Sequence, residues 1–574
     1  MVWQSFVSLG IEKGVELMRV RKRRLIIALV TAATIIHIPV MAAVVPDAGQ
    51  TDKSIQERQL VAPAQSTIDL AIHQQQTEPK QADQGLKIRV DHIRFTGQTI
   101  FSEETLLAQI QDGLEKELSL NDLELLAWQI TRYLRSQGYL VATAYIPAQD
   151  VQDNTVNIAV VLGQYGNIQI RNSSALAIGR VRALLSEIHS GDVIRKDSLE
   201  RAMLLVDDAS GVSAKATLAP GEAPGTADLI VDVIDASRVI GSLTVDNHGN
   251  WFTGENRLGL AIDLNNPSGI GDQATLGGTY AGSGMDNRGL SYLVPVGRRG
   301  GNLGVSYERT HYLLGKDFSF LNANGEAKTT SVFGTYPFVR SRSLNIYGRL
   351  GFNDKKLEDR LDAVDTFSDK RSRVWKIELN GDRRDKDGRG LTAFALALST
   401  GRLDINTPAD LVIDQASAKS AGWYNKTSLS LLGMKQINER LSYKLSFSGQ
   451  LASKNLDSSE KLYLGGATGV RAYPEGEAAG DDGYIFTGEL HWNMPKPNFQ
   501  LAAFIDTGRI TINKEPWDNA ANHRTLSGAG MGVIWNWDED YSLRFDYAWK
   551  LNSDNDNSDS DSNGRFWLQC TRKF

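Results

Sequence analysis

The second half of the chain alternates between apolar and polar residues over long runs. Leu441 to Leu451 places Leu, Tyr, Phe and Gly at every second position, and Tyr541 to Leu551 does the same with Tyr, Leu, Phe and Trp. A period of two gives a strand one apolar and one polar face. The strands of a soluble sandwich also alternate, but strands of this length with aromatic residues near their ends suit a lipid-facing barrel better.

The alternating region covers residues 239–574, and it holds nine of the eleven tryptophans. Indole rings are enriched at the two membrane interfaces. At about 9 to 11 residues per crossing, with turns of similar length, the region allows about sixteen strands. We therefore predict a transmembrane antiparallel β-barrel. The 53 glycines against 15 prolines agree with an all-β region that contains many turns.

Two shorter segments before this region share one order of predicted elements: strand, helix, helix, strand, strand. Residues 87–163 form the first unit and residues 164–238 the second. In the first, leucine and isoleucine recur at helical spacing over Glu103 to Ile110 and Leu123 to Leu134. Two α+β units with one topology are an internal repeat.

The N-terminal residues 1–43 have the composition of an export signal. Arg19 to Arg24 supplies positive charge, an apolar stretch follows, and Ala42 and Ala43 are small residues at a cleavage position. Met18 is an alternative start. Residues 44–86 are rich in Gln, Asp, Ala and Thr and are interpreted as a linker, within which a short helix around Ser54 to Leu60 is a second interpretation.

A glycine-rich stretch, Leu464 to Pro474, carries one cation, Arg471. A later strand, Phe504 to Gly508, carries one acid, Asp506, among apolar and small residues. Arginine cannot lose its charge, so an arginine folded into a barrel lumen requires an acceptor, and a carboxylate offers a bidentate one. An ordinary structural ion pair in a polar lumen remains an alternative to a functional latch.

These two stretches resemble the Val-Arg-Gly-Tyr/Phe loop and the Phe-x-Asp-x-Gly strand of the two-partner secretion transporters, the haemolysin secretion/activation family. Leu199 to Ala202 with Asp208 and Gly211 resembles the polypeptide-transport-associated (POTRA) domain, a βααββ module. Asp246 to Gly249 resembles the family's first hairpin. The resemblance extends over residues 44–574 and implies two periplasmic POTRA domains followed by an outer-membrane barrel.

The resemblance implies particular roles for residues in this sequence. The loop latch would consist of Gly469, Val470, Arg471 and Tyr473, and its partner on the barrel wall of Phe504, Asp506 and Gly508. Ala472 stands where the family commonly has glycine. Phe574 would serve as the C-terminal assembly signal, although Arg572 replaces a usual apolar residue.

The same resemblance implies a function in export. The chain would secrete, and in doing so activate, one large partner protein that carries an N-terminal secretion domain: a haemolysin, an adhesin or a contact-dependent toxin. Part of the linker would form a helix that plugs the pore. A POTRA module would capture an extended chain at its open sheet edge or helix groove. Lipid and the barrel-assembly machinery are further expected partners, and a monomer is the expected state.

Other classes of site are not indicated by the sequence. Gly269 to Ala274 fits G-x-G-x-x-A but leads into an alternating strand, so a turn is predicted. The histidines lack zinc-site spacing, and the acidic tract Asp554 to Asp561 lacks the glycine and glutamate of a calcium loop. We expect no catalytic residue, metal or cofactor. We also expect no nucleic-acid partner, since a net charge of −6 provides no basic field for nucleic acid. Cys570 is the one cysteine.

Two alternative functions use the same features differently. A barrel-assembly insertase of the same superfamily would share the loop and strand motifs, but such proteins usually carry three or more periplasmic repeats. A passive porin would account for the barrel and leave the repeated modules without a role.

Overall fold

The structure, a computed structural model, describes residues 46–56, 69–72, 86–538, 540–552 and 563–574. The proposed export signal, most of the linker and the acidic tract at 554–561 lie outside these residues. Within the described ranges, no helix has both the length and the apolar character required to cross a membrane. The described chain begins with helix α1 (Ala48–Gln56) and the short strand β1 (Asp69–Ile72).

The first βααββ module packs its helices on a small sheet with strand order β3-β6-β5, and β2 pairs with β4 beside it. Its elements are β2 (Ile88–Val90), β3 (His92–Thr96), α2 (Glu103–Leu107), a 3-10 turn (Gln111–Gly113), β4 (Lys116–Leu118), α3 (Leu120–Ser136), β5 (Thr143–Tyr145) and β6 (Thr155–Val161). Helix α3 begins at a capping box, in which the Ser119 side chain accepts from Asp122 N. The hydrogen bonds from the Ser119 backbone and side chain lower the pKa of Asp122.

The second module shares the βααββ order, without the two short strands β2 and β4 of the first, and has its own hydrophobic core. Its elements are β7 (Gln164–Asn172), α4 (Ile178–Leu184), α5 (Lys196–Asp207), β8 (Val212–Pro220) and β9 (Thr226–Asp235). Val181, Leu204, Val231 and other side chains from both layers are fully buried between the helices and the sheet. The internal repeat predicted from the sequence is thus present as two βααββ modules.

One edge of the sheet in the second module is covered by the chain itself. Strand β1 pairs in parallel with β8, from Asp69 opposite Lys215 to Ile72 opposite Leu218. The sheet order is therefore β1-β8-β9-β7. The sequence analysis did not predict this strand, because the four residues of β1 lie in the segment interpreted as linker.

Sixteen antiparallel strands form a closed barrel, which confirms the predicted fold class and strand number. Strand β10 pairs with β27 and closes it. The barrel strands are β10 (Val239–Asp246), β11 (Arg257–Asn265), β12 (Gln273–Tyr280), β13 (Met285–Val296), β14 (Gly301–Leu313), β15 (Ala323–Arg340), β16 (Leu344–Leu361), β17 (Thr366–Arg384), β18 (Gly390–Ile405), β19 (Gly422–Gln436), β20 (Leu441–Ala452), β23 (Asp482–Asn493), β24 (Phe499–Thr511), β25 (His523–Trp535), β26 (Tyr541–Lys550) and β27 (Gly564–Lys573).

The connections of the barrel contain few further elements among the described residues. Strands β21 (Leu462–Tyr463) and β22 (Ala479–Gly480) pair with each other between β20 and β23. Helix α6 (Pro408–Ala416) lies between β18 and β19, and 3-10 turns span Lys316–Leu321 and Ser458–Glu460. The stretch Gly269 to Ala274 forms the turn between β11 and β12 and the start of β12, as predicted, with Gly269 and Gly271 at positive φ.

The alternation predicted for the strands separates an apolar outer face from a polar lumen. Large aliphatic side chains are exposed on the outer face of successive strands: Val305, Val332, Leu350, Ile377 and Leu398. Exposed tryptophans lie on several strands and one loop: Trp375, Trp423, Trp492, Trp537 and Trp549. This distribution matches the apolar band and aromatic girdles of a barrel in a bilayer.

The second module contacts the barrel through residues of helix α5 and the residue that caps it. Asp208 accepts from Arg340 Nη2 at 2.6 Å and from Nε at 2.8 Å. Arg201 donates to the carbonyl oxygen of Pro337 at 3.1 Å, and Glu200 accepts from the backbone of Arg342 at 2.5 Å. The residues that carry the POTRA resemblance therefore lie at the junction with the barrel.

Candidate functional site

The connection between β20 and β23, residues 453–481, packs against the inner wall of the barrel, and we call it the lumen loop. Its central residues are almost completely buried, among them Leu464, Val470, Ala472 and Tyr473. They pack against side chains of three neighbouring strands: Phe504 and Ile510 of β24, Leu526 of β25 and Ala548 of β26. A loop with this much buried apolar surface has one preferred position against the wall.

The tip of the lumen loop is a tight turn held by its own backbone. Val470 N donates to the carbonyl oxygen of Leu464 at 2.6 Å, and Tyr473 N donates to that of Val470 at 3.1 Å. A Cβ at Gly469 would overlap the carbonyl oxygen of Leu464, so only glycine fits there. Gly469, Val470 and Tyr473 thus shape the turn that presents Arg471.

The structure brings Arg471 and Asp506 together as a bidentate pair. Arg471 Nη2 lies 2.8 Å from Asp506 Oδ1, and Nε lies 2.9 Å from Oδ2. The backbone N of Arg471 also donates to Asp506 Oδ2 at 3.2 Å. Both residues are buried, Asp506 completely. A single carboxylate therefore fixes both the side chain and the backbone of the loop tip.

The other predicted wall residues, Phe504 and Gly508, lie on the same face of β24 as Asp506. The Arg471 guanidinium carbon lies 3.3 Å from the centroid of the Phe504 ring. A Cβ at Gly508 would lie 2.8 Å from the Leu464 side chain, so this glycine allows the loop to approach the wall. Ala472 is accommodated because it faces Gly528 on β25, where a Cβ would lie 2.6 Å from that of Ala472.

Three further charged residues at this site were missed by the sequence analysis. Arg471 Nη1 lies 3.0 Å from Glu489 Oε1 on β23 and 3.1 Å from Asp546 Oδ2 on β26. Arg544 bridges the same two acids, at 3.1 Å from Glu489 and 2.8 Å from Asp546. Arg544 and Asp546 occupy alternate positions on the polar face of β26, and this pattern could have predicted that both side chains face the lumen.

The loop tip is also bonded to the strand that closes the barrel. Trp567 Nε1 on β27 donates to the carbonyl oxygen of Arg471 at 2.7 Å. The chain ends beside β10, where Phe574 N donates to Gly241 O at 3.0 Å and Gly241 N donates to Phe574 O at 2.8 Å. Phe574 therefore helps to join the last barrel strand to the first, and it is not in contact with Gly469, Val470, Arg471 or Tyr473.

A second anchor lies at the 3-10 turn Ser458–Glu460 of the lumen loop, where lysines from three strands meet two buried acids. Lys355 lies 3.1 Å and Lys426 2.5 Å from the Glu460 carboxylate, and Lys370 lies 3.0 Å from Asp457. The lysines belong to β16, β19 and β17. We call this group the lysine clamp, and the sequence analysis did not identify it.

Helix α1 lies inside the barrel against the same turn. Ser458 Oγ donates to Asp47 Oδ2 at 2.6 Å, and Ala48 N donates to Asp359 Oδ1 at 2.8 Å. A Cβ at Gly49 would lie 2.5 Å from Ser458 Oγ and 2.8 Å from the Ser459 backbone N. The helix thus occupies lumen space, but it begins six residues before the predicted Ser54, and residues 57–60 lie outside the described chain.

Helix α1 also contacts the barrel wall through Asp52. Asp52 is buried and accepts from Thr310 Oγ1 at 3.4 Å and from Thr329 Oγ1 at 3.3 Å. The contacts that hold α1 and the lumen loop are hydrogen bonds, ion pairs and apolar packing, which can open and re-form without covalent change. In the described part of the chain, no three His, Cys, Asp or Glu side chains are grouped to hold a metal ion.

A closed sixteen-stranded barrel with two POTRA modules and a loop anchored in its lumen defines a class, the outer-membrane proteins that assemble or translocate other polypeptides. Residues 225–534 match the family model of the haemolysin secretion/activation protein ShlB/FhaC/HecB, and residues 88–163 match the ShlB-type POTRA domain. The chain belongs to the haemolysin secretion/activation protein family ShlB/FhaC/HecB.

Relatives and solved structures agree with this assignment. The chain is 27% identical to the heme/hemopexin transporter protein HuxB of Haemophilus influenzae over 97% of its own length and all of that protein. It is 23% identical to the outer membrane transporter CdiB of Dickeya dadantii over 79% of this chain and 82% of that protein. The structure of CdiB from Escherichia coli superposes with a TM-score of 0.67 at 18% identity, covering 92% of this chain and 96% of that one.

The protein is therefore a two-partner secretion transporter. Its barrel lies in the outer membrane, its POTRA domains lie in the periplasm, and it translocates a secreted partner protein. This outcome confirms the family, fold, function and location predicted from the sequence. It does not support the alternatives of a barrel-assembly insertase or a passive porin.

Proposed function

We propose that export through this barrel is gated by two lumen elements that share one anchor, helix α1 and the lumen loop. The observation that supports the proposal most is the double use of the turn Ser458–Glu460. On one side it binds the lysine clamp, and on the other Ser458 binds Asp47 at the start of α1. Movement of the loop would therefore weaken the seat of the helix.

In this proposal the loop latch consists of Gly469, Val470, Arg471 and Tyr473. Its partner on the barrel wall consists of Phe504, Asp506 and Gly508. Breaking a buried ion pair from one side costs roughly 3 to 5 kcal/mol. Glu489 and Asp546 lower that cost, because they stay beside Arg471 when it leaves Asp506. The acids thus offer the arginine a second position and let the loop tip shift without exposing an unpaired charge.

Transport would proceed in three steps. The POTRA modules bind the extended secretion domain of the partner, the latch and α1 leave the lumen, and the chain passes outward. No covalent chemistry is required of the site, so we propose that the protein has no enzymatic activity. Folding of the partner outside the cell makes transport proceed outward.

Deleting residues 84–235 tests the capture step. The deletion variant should insert its barrel and secrete nothing, and normal secretion by this variant would refute capture by the POTRA modules.

We further propose that the exported partner belongs to heme or hemopexin acquisition. The support is that HuxB matches this chain over its entire length, whereas the CdiB of Dickeya dadantii matches over 82% of its length. Among the partners considered, a haemolysin, an adhesin or a contact-dependent toxin, the toxin is the competing candidate because of the CdiB relatives.

The secreted proteins of a strain that lacks this transporter test the partner class. We expect one large protein to disappear from the culture supernatant and cell surface, and the purified protein to bind heme–hemopexin immobilised on beads. Re-expression of the transporter should restore it. Loss of a protein that kills neighbouring cells and ignores heme–hemopexin would favour the toxin instead.

Three further features complete the proposal. The exposed aliphatic band on the outer face contacts lipid. Phe574, at the end of the closing strand, acts as the signal read by the barrel-assembly machinery. The barrel is closed by its own terminal strands, so a monomer suffices for transport. Light scattering of the protein in detergent, with the detergent contribution subtracted, tests the monomer.

A further inference from the structure

A cavity of about 510 Å³ lies beside strands β17 and β18, and arginines line it. They are Arg371 and Arg373 of β17 and Arg402 of β18, with side chains between 42% and 50% exposed. Leu411 of helix α6 lines the same cavity. Its volume falls within the range of ligand-binding sites, roughly 300 to 1,000 Å³. We call this cavity the arginine pocket.

The arginine pocket faces away from the lumen. On β17 its arginines lie on either side of the buried Ser372 and share the face of the exposed Trp375 and Ile377. On β18 Arg402 shares the face of the exposed Leu398. These apolar side chains belong to the outer face of the barrel. A chain that is exported through the lumen does not pass this face, and the membrane surrounds it.

The arginine pocket lies at the outer end of the barrel. The second POTRA module contacts Arg340 at the end of β15 and Arg342 in the next turn, so this end is periplasmic. Successive strands reverse direction, and β18 therefore begins at the periplasmic end. From Gly390 to Arg402 it rises roughly 40 Å along its axis, or about 30 Å across the membrane at the tilt of a barrel strand. This height equals the hydrocarbon core and places the guanidinium groups among the outer headgroups.

Two of the three arginines share one acid. Asp404 accepts from Arg373 at 2.5 Å and from Arg402 at 2.9 Å, while Asp354 accepts from Arg371 at 2.6 and 2.7 Å. Arg373 and Arg402 are directly opposite each other in the strand register. Like charges in directly opposite positions are destabilising. An anion that binds both guanidinium groups would remove this repulsion.

The pairing of like charges continues across the neighbouring strands. Lys356 of β16 is opposite Arg371, Lys328 of β15 is opposite Lys356, and Arg309 of β14 is opposite Lys328. Glu326 forms ion pairs with both Arg309 and Lys328, so here too one acid serves two cations. The outer face thus presents a continuous row of cations to the headgroup region, with the arginine pocket at one end.

We propose that the arginine pocket binds the phosphate group of a phosphorylated glycolipid of the outer leaflet, lipopolysaccharide. Phosphate accepts paired hydrogen bonds from guanidinium groups, and each arginine has five N–H donors. The acyl chains of the same lipid would lie along the outer face below the pocket, beside Trp375 and Ile377. Binding of this kind rests on the lipid contact proposed above for the outer face, and it is independent of the proposed gating.

Binding of a defined lipid to the full-length transporter in detergent tests the site. The probe is fluorescent lipid A that carries its inner-core sugars. We expect R373Q/R402Q to bind it about tenfold more weakly than wild type, because the paired charge-assisted hydrogen bonds are lost. R373K/R402K should be intermediate, since lysine keeps the charge but lacks the bidentate geometry. R383Q is the control, because it changes an exposed arginine on the same face of β17 at the periplasmic end, and it should bind as wild type.

A second probe requires no variant of the protein. Lipid A from which the phosphates have been removed should bind wild type about tenfold more weakly than the phosphorylated lipid. Inorganic phosphate in excess should leave the phosphorylated lipid bound, because phosphate alone lacks the acyl chains. Displacement by inorganic phosphate would reassign the pocket to free phosphate and overturn the lipid assignment.

Three other results would overturn the proposal. Equal binding of the phosphorylated lipid to wild type and R373Q/R402Q, or equal binding of the two lipids to wild type, would refute the pocket and leave the lipid contact of the outer face intact. Failure of both lipids to bind wild type would refute that contact as well. Loss of secretion by R373Q/R402Q with unchanged lipid binding would assign the arginines to the exported protein instead.

Discussion

Arg471 and Asp506 are joined by three hydrogen bonds, two from the guanidinium at 2.8 and 2.9 Å and one from the backbone N at 3.2 Å. The carboxylate lies on the barrel wall and the arginine on the lumen loop, so this pair sets where the loop tip rests. Asp506 is fully buried, so a movement of the tip that separates the pair leaves two charges that each require another partner.

The first prediction is that substitutions at these two positions are not additive. Arg471→Ala removes the guanidinium from Asp506 and leaves it the backbone N of residue 471, whereas Asp506→Ala leaves Arg471 with Glu489 and Asp546. We expect both single variants to lower secretion, R471A more than D506A, and the double variant to secrete no less than R471A. Non-additivity of this kind identifies residues that act as one unit. The measurement is secreted partner per inserted transporter.

Arg509 supplies the control for that experiment, since it is an exposed residue on the opposite face of β24. R509A should secrete at the wild-type level. If the losses of R471A and D506A multiply in the double variant, or if either single variant secretes normally, the two residues are separate lumen charges and the latch is wrong.

The fold was predicted well from the sequence, because alternating apolar and polar residues directly indicate strands of a barrel wall that has one apolar face. It predicted the Arg471 and Asp506 pairing from the resemblance of two motifs. It missed Glu489 and Asp546 because alternation shows which residues face inward, but not which of them meet across neighbouring strands. That depends on strand register, here Glu489 opposite Phe504 and Gly532 opposite Asp546.

The linker region was predicted less accurately for a different reason. Helix α1 and strand β1 are nine and four residues long, too short for periodicity to distinguish them from irregular chain. Both are stabilised by surfaces distant in sequence, α1 by the lumen and β1 by the edge of β8. Local composition does not predict contacts between residues that are distant in sequence, so the segment was interpreted as a linker.

A second prediction concerns the seat of helix α1. Gly49 approaches Ser458 and Ser459 so closely that a Cβ would lie 2.8 Å from a backbone nitrogen. Gly49→Leu should therefore displace the helix and raise single-channel conductance in planar bilayers several-fold, as should deletion of residues 46–56. Ile55→Ala, a change to a half-buried residue of the same helix, should leave conductance near the wild-type value. Unchanged conductance in both G49L and the deletion would show that the helix does not plug the pore.

A third prediction concerns the lysine clamp. Lys426→Met removes one of two cations from the buried carboxylate of Glu460, while Lys355 remains. We expect the lumen loop to become less firmly held and the channel to open more often, with a free-energy change below the roughly 3 to 5 kcal/mol of a fully broken buried pair.

Adding Glu460→Gln to K426M should reduce the frequency of opening, because the two changes together remove one charge of each sign and restore the net charge of the site. Single-channel recordings compare wild type, K426M and K426M/E460Q. An opening frequency in the double variant equal to or above that of K426M would show that Lys426 does not act through Glu460.

The fourth prediction concerns barrel assembly. Phe574 pairs with Gly241, and its ring lies over that glycine, where a side chain would overlap it. Removing Phe574 should reduce the inserted, heat-modifiable barrel about tenfold, while Phe574→Trp should retain most of it. Deleting the last residue of a barrel can act on recognition or on stability. The melting temperature of the fraction that does insert separates them, since loss of recognition alone leaves it unchanged.

The fifth prediction concerns the junction between the second POTRA module and the barrel. Arg340 is buried at the end of β15 and donates to both carboxylate oxygens of Asp208. It also donates to Asn345, so it keeps a partner on the barrel when Asp208 is changed. Asp208→Asn should therefore weaken docking of the module while leaving the barrel intact, and Arg340→Gln should weaken docking by a similar amount. The double variant should be docked no more weakly than R340Q.

Docking can be measured as the rate of protease cleavage between the module and the barrel in intact outer membranes. Asp228→Asn, on strand β9 of the same module, is the control. Equal cleavage of wild type, D208N and R340Q would mean that the module is held by its other contacts with the barrel, among them those of Arg201 and Glu200.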